Sequence, residues 1–132
     1  MIFVDTGAWF AIYEPTDPNH GRATAWYRVN TERLSTTDYV ITETLTLLRC
    51  GRKRPETALA FGSDAFDNRI ALVYHLTDED IKAAWNVFRT FSDKEWSFTD
   101  CTSKIVMEKQ GLDRAFEFDR HFRQFGRCTV VP

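Results

Sequence analysis

The sequence holds little cysteine, no long apolar run and almost no surplus of charge. Its 132 residues contain three cysteines, Cys50, Cys101 and Cys128. They are odd in number, widely spaced and form no CxxC pair, which argues against a disulfide framework or a cysteine zinc site. A reducing, cytoplasmic setting fits that usage. No stretch reaches the apolar length that spans a bilayer. The start, Met1-Ile2-Phe3-Val4-Asp5, has no basic lead and meets a carboxylate early, unlike a signal peptide. Seventeen basic against nineteen acidic side chains leave a net charge of −2. That excludes a polycation holding nucleic acid by bulk charge alone, while leaving room for a local basic patch. No Pro/Gly/Ser linker and no repeat divides the chain, so residues 1–132 are expected to form one domain. What is present is ample core material: eleven Phe, four Trp and four Tyr, with 43% of residues hydrophobic and 27% charged. Such a composition opposes disorder.

Strand and helix signals alternate. Ile2-Phe3-Val4 reads as a buried strand, Thr6-Gly7 as a turn, and 8–13 as a short helix stopped by Pro15. Residues 19–30 suit a second helix and Leu34-Ser35-Thr36 a short strand. Residues 38–49 repeat Tyr39, Val40, Leu47 and Leu48 at helical spacing and end at Gly51. Pro55 opens a helix over 55–66. Ile70 to Leu76 is a strand, and Thr77 with the acids after it starts a helix reaching about Phe91. Thr99 or Asp100 caps another helix ending near Gly111. Residues 115–118 and 128–131 supply the fourth and fifth strands. This order predicts an α/β fold, a Rossmann-like and mostly parallel sheet of about five strands sandwiched by helices. In such sheets the functional crevice lies at the carboxyl ends of the strands.

Carboxylates stand at those ends. Asp5 follows the first strand, Asp119 the fourth, and Asp100 sits at the head of a helix. Glu43 has Tyr39, Val40 and Leu47 as its helical neighbours, which places it on the buried stripe. A single buried acid is usually paired or capping. Four acids meeting at one edge would repel one another, and a divalent cation removes that conflict. Oxygen ligands without His or Cys suit Mg²⁺ or Mn²⁺ rather than zinc.

The residues around these acids carry a resemblance. Asp5-Thr6-Gly7-Ala8-Trp9-Phe10-Ala11 resembles the opening of PIN-domain ribonucleases. Thr37-Asp38-Tyr39-Val40-Ile41-Thr42-Glu43-Thr44-Leu45 resembles their second motif, Ser97-Phe98-Thr99-Asp100-Cys101-Thr102-Ser103 the third, and Phe118-Asp119-Arg120-His121-Phe122-Arg123-Gln124-Phe125-Gly126 the fourth. Order, spacing and length are similar to VapC-type toxins of toxin–antitoxin pairs and to their stand-alone relatives. The resemblance spans the chain. It departs at Gly7, where the family more often has Ser.

The resemblance implies a single PIN domain and an endoribonuclease dependent on Mg²⁺ or Mn²⁺, with Asp5, Glu43, Asp100 and Asp119 holding one or two ions. By that analogy the metal activates a water and neutralises the phosphate, leaving a 5′-phosphate and a 3′-hydroxyl. Thr6 and Thr99 are the hydroxyls expected to hydrogen-bond the ligand carboxylates, Thr99 standing equally as a helix cap. It also implies an RNA substrate, a small antitoxin protein and a homodimer. A catalytically silent RNA- or protein-binding module is the alternative. An aspartic protease, suggested by Asp5-Thr6-Gly7-Ala8, would need an all-β setting. A haloacid-dehalogenase-type phosphotransferase would want an acid where Gly7 stands.

Basic residues cluster near the motifs. Arg49, Arg52, Lys53 and Arg54 form one group, and Arg120, Arg123 and Arg127 with His121 another. Both are candidates to grip RNA phosphates or an inhibitory partner tail, the first equally a solvated helix end. His121 reads as a structural or phosphate contact rather than a base. The aromatics Trp9, Phe10, Trp26, Tyr27, Phe61, Phe66, Trp85 and Phe88 are expected mostly to fill the core, with Trp9, Phe10 and 55–66 as an alternative apolar patch for dimerisation or antitoxin docking.

Overall fold

The structure is a computed structural model that describes residues 1–126 and 128–132. Five strands form one sheet: β1 (Ile2–Val4), β2 (Leu34–Thr37), β3 (Leu72–Tyr74), β4 (Arg114–Phe116) and β5 (Thr129–Val131). Their spatial order is β3-β2-β1-β4-β5 and every pairing is parallel. β1 is central. Ile2, Phe3 and Val4 are all fully buried, which is why that strand is apolar at each position rather than alternating. Strand order reverses at β1: β2 lies on one side and β4 on the other. The switch point therefore opens beside the residues that follow β1 and β4.

Among the described residues six α-helices connect the strands. α1 (Thr6–Tyr13) and α2 (His20–Val29) link β1 to β2, and α3 (Asp38–Thr46) and α4 (Pro55–Phe66) link β2 to β3. α5 (Asp78–Thr90) and α6 (Phe98–Gln110) link β3 to β4. A 3₁₀ turn, Arg120–Gln124, leads to β5. Thr77 and Asp80 form a reciprocal capping box on α5, and α6 ends at Gly111 with φ of 66°, the left-handed geometry glycine tolerates.

Several expectations are corrected. Thr6-Gly7 is not a turn but the first two residues of α1. α3 stops at Thr46 and continues as a π turn, Leu47–Gly51, because the Arg52 N–H reaches the Leu47 carbonyl five residues back. The strand expected over 70–76 keeps only three residues, since β3 is an edge strand with β2 as its one neighbour. Ser97, not Thr99 or Asp100, caps α6. β4 ends at Phe116 rather than Phe118, which moves Glu117 to the strand's exit.

The core gathers Trp9, Phe61, Phe116, Phe122 and the β1 side chains. The Trp9 indole N–H donates to Thr36 Oγ1 at 3.2 Å, and Thr36 Oγ1 donates to the Val4 carbonyl at 3.0 Å. This chain ties α1, β2 and β1 together one residue before Asp5. Full burial of Trp9 agrees with its expected place in the core and removes it from the alternative, an exposed apolar patch. Conversely Phe66, Trp85 and Phe88 are exposed, so they do not fill the core as their helical spacing suggested. Spacing gives the stripe a residue lies on, whereas neighbouring elements decide whether that stripe is covered.

Candidate active site

A crevice of about 300 Å³ lies beside the strand exits, lined by residues that include Asp5, Thr6, Gly7, Glu43, Ser97, Asp100, Glu117, Asp119 and His121. The four acids singled out by sequence come from four separate segments. Asp5 leaves β1 as the N-cap of α1. Glu43 projects from α3 and is half-buried. The buried stripe of that helix is Val40, Ile41 and Thr44. Glu43 sits beside it, with Tyr39 half-buried and Leu47 exposed, because this face borders the crevice rather than the core. Asp100 is the third residue of α6, where Oδ2 accepts the Ser97 N–H at 3.0 Å. Asp119 follows β4 by three residues and accepts the His121 N–H at 2.9 Å.

Sequence reasoning missed two acids that line the crevice, Glu95 and the buried Glu117. In the sequence Glu117 falls inside the expected fourth strand, Ala115-Phe116-Glu117-Phe118. A carboxylate in so apolar a strand was the available signal. The structure buries it, with 2% of its surface exposed.

Electrostatics mark this cluster as unsettled without a counter-charge. Burial pushes the Asp5 carboxyl well above the ordinary carboxylate range, and the nearby charges of Glu117, Asp100 and Glu43 push it further. Burial likewise raises Asp100, with Glu43 and Asp119 adding to it and the Ser97 N–H and His121 opposing. Glu117 is raised by burial too, against three hydrogen bonds that lower it. Ser103 Oγ donates to Asp5 Oδ1 at 3.2 Å. His121 Nδ1 stands 3.2 Å from Asp119 and 3.7 Å from Asp100, buried between the two carboxylates without a hydrogen bond to either.

The donor set is one a hard divalent cation takes: carboxylate oxygens, several partly desolvated, with no thiolate among them. Among the described residues no three His, Cys, Asp or Glu side chains close on a common point at ligating distance. The buried hydroxyl Thr6 Oγ1 has no hydrogen-bond partner at the crevice wall. Among the described residues it therefore does not hold a ligand carboxylate, which corrects that expectation, and is left without a partner. The residues thus fit the ion by chemistry and by the charge conflict it would resolve. Thr99 neither caps α6 nor lines the crevice.

The stability consequence has a definite sign. A carboxyl whose folded-state pKa is raised contributes stability that is full below the unfolded pKa, about 4, and is lost as pH rises through the raised value. Asp5, Asp100 and Glu117 all act in this sense. In EDTA the melting temperature is expected to fall from about pH 4 to pH 7 more steeply than that of Asp5→Asn, and Mn²⁺ at pH 7 is expected to reverse the fall. Calorimetric melts of both proteins check this. Parallel pH profiles would count against it. The comparison with Asp5→Asn matters because Asp80 runs the other way: hydrogen bonds from Thr77, Tyr74 and Lys109 overcome its burial and hold it far below the usual range.

The basic groups divide. Arg54 pairs with the buried Glu14 at 3.2 Å, and Arg52 lies over the Phe10 ring at 5.6 Å. Arg49 lines a separate apolar groove with Leu45, Leu59 and Phe66. None of Arg49, Arg52, Lys53 and Arg54 lines the carboxylate crevice. Arg123 does stand near it, sharing a smaller cavity with Arg22, Glu117 and Asp119. Arg22 was not anticipated from the sequence. The side chain of Arg120 and the whole of Arg127 lie outside the described residues.

Comparison with known proteins agrees with this architecture. The PIN domain family model matches residues 2–127. The 23S rRNA-specific endonuclease VapC20 of Mycobacterium tuberculosis is 34% identical over all of this chain and 99% of its own length. A VapC ribonuclease of Archaeoglobus fulgidus is 30% identical over 90% of this chain and 77% of its own. The crystal structure of the M. tuberculosis VapC20, described as a sarcin-ricin loop cleaving toxin, superposes with a TM-score of 0.89 at 32% identity, covering 96% of this chain and 95% of that one. A five-stranded parallel sheet that reverses at β1, with acids at the exits of β1 and β4, together with these full-length matches, establishes that the chain belongs to the PIN-domain family, among its VapC-type members.

Proposed function

We propose that this protein is a divalent-metal-dependent endoribonuclease and the toxin of a toxin–antitoxin pair. The observation that carries the reading is the convergence of Asp5, Glu43, Asp100 and Asp119 on one crevice at the strand exits. In this reading they are the catalytic and metal-holding residues, taking Mg²⁺ or Mn²⁺ as one or two ions. A bound ion would supply charge neutralisation at the phosphate and an activated water. The chain does the rest. β1 and α1 fix Asp5, the α6 cap fixes Asp100, and the Asp119 turn closes the far wall. Glu43, half-exposed, is placed to orient a water. Arg22 and Arg123 are placed to hold a flanking phosphate, which fixes register rather than sequence. The acids repel RNA until their charge is balanced, so binding and metal loading are coupled.

The same reading makes the chain one domain acting in the cytoplasm, as a homodimer with a small antitoxin as its protein partner. No helix among the described residues is long and apolar enough to cross a membrane. The ribosomal RNA named for the mycobacterial relative makes ribosomal RNA the first substrate to test.

The experiment is cleavage of purified ribosomal RNA and of a mixed RNA pool in Mg²⁺, in Mn²⁺ and in excess EDTA. Cleavage with metal and none with EDTA is the expected result. Cleavage that survives EDTA would overturn the metal assignment. Uptake of neither ion by calorimetry, with no cleavage, would overturn the nuclease.

A further inference from the structure

The buried Glu117 carboxylate is not among the four acids of the sequence motifs, although it lies against the Asp5 carboxyl. Its oxygens are almost fully used. Oε1 accepts the N–H groups of Phe118 at 2.6 Å and Asp119 at 3.1 Å. Oε2 accepts the Gly7 N–H at 3.3 Å. A carboxylate has about four lone-pair sites, and three backbone donors occupy most of them. Such a group is poorly placed to ligate an ion and well placed to hold backbone.

The Gly7 N–H is the telling partner. Asp5 is the N-cap of α1, and Gly7 is the second helical residue after it. An N-cap aspartate ordinarily turns its own carboxylate onto the N–H of the second or third helical residue. Asp5 makes no such bond. It accepts Ser103 Oγ instead and lines the crevice. Glu117, from the other side of the switch point, has taken the N–H that Asp5 would otherwise cap.

Gly7 makes this possible. A Cβ built there would stand 2.2 Å from Glu117 Oε1, far inside van der Waals contact. Only a residue without a side chain leaves the seat open. The same fact explains the departure at position 7 seen in the sequence: the glycine is matched to the glutamate 110 residues away.

We propose that Glu117 is a positioning residue that caps α1 in place of Asp5, keeping the Asp5 carboxylate turned into the crevice, with Gly7 as its required partner. The proposal rests on the reading of the crevice as a metal site. Without Glu117, Asp5 swings back to the free Gly7 N–H and withdraws a ligand from the ion.

Mn²⁺ binding by titration calorimetry tests this on the wild type, Glu117→Ala, Gly7→Ala, the double variant and Asp100→Asn, with RNA cleavage measured at saturating metal. Gly7→Ala is expected to fold, since the atoms it displaces are the end of one side chain and alanine favours the helix. Each single variant is expected to bind Mn²⁺ at least about tenfold more weakly, and the double no more weakly than Glu117→Ala alone, because the methyl then has nothing to displace. kcat is expected to fall while KM for RNA stays. A purely structural role would lower the melting temperature and leave Mn²⁺ affinity and kcat in place. Wild-type Mn²⁺ affinity in Glu117→Ala, or losses that simply multiply in the double variant, would overturn the proposal while Asp100→Asn still loses the ion. A wild type that takes up no Mn²⁺ would overturn the metal reading and this proposal with it.

Discussion

Asp100→Asn is expected to lower RNA cleavage by about a thousandfold, roughly 4 kcal/mol of barrier, without unfolding the protein. The reason lies in the two jobs of this side chain. Its Oδ2 accepts the Ser97 N–H while Ser97 Oγ accepts the Asp100 N–H, a reciprocal cap on α6. Asparagine keeps one carbonyl oxygen and can keep the cap. It loses the negative charge, which is what a metal-holding group needs. Removing that charge also relieves repulsion from Glu43 and Asp119, so the metal-free variant is expected to melt no lower than the wild type. Single-turnover cleavage and calorimetric melting together decide the matter. A variant that melts normally and still cuts RNA at the wild-type rate would remove Asp100 from the site. A variant that is inactive because it is unfolded would show it in the melt, and Asp5→Asn, whose cap bond is already made by Glu117, provides the second arm.

Trp9→Ala is expected to cost about 3–5 kcal/mol of stability, a large part of the 5–15 kcal/mol that holds a domain together. Trp9 is fully buried and packs against the Phe61 ring at 5.9 Å. Truncation opens a cavity and strips Thr36 Oγ1 of a donor. Thr36 still donates to Val4, so the polar loss is partial and the void dominates. Trp9→Phe separates the terms: it refills most of the volume and removes only the indole N–H. It is expected to cost about 1–2 kcal/mol, the packing change plus one hydrogen bond. Urea unfolding of the three proteins measures both. Equal losses for the alanine and phenylalanine variants would show that the hydrogen bond, not the volume, carries the stability. Since Trp9 lies four residues beyond Asp5 on α1, surviving Trp9→Ala protein is also expected to cut more slowly.

The elements with strong local signals were legible from the chain alone. β1 is apolar at every position, α4 begins at its proline, and α6 stops at its glycine. Their boundaries depend on residues next to one another, which a sequence displays directly. The ends of β4 and α3 were not legible. Where β4 stops depends on how far β1 and β5 run beside it, and α3 relaxes into a π turn for which no local residue calls. The exposure of Trp85 and Phe88 escaped for the same reason: burial needs a partner surface, and periodicity reports only a face.

The candidate site divides in the same way. Asp5, Glu43, Asp100 and Asp119 could be named from four local motifs and their order. The sequence by itself determined the parallel α/β class, the family and the acids at the strand exits, because each rests on short-range pattern. Only the tertiary structure decided that Glu117 enters the crevice, that Gly7 must be bare for it, and that Arg54 is held by Glu14 rather than standing free. Each is a contact between residues 40 to 110 positions apart. Such contacts follow from chain crossing at the switch point, and no local pattern encodes which side chains meet there.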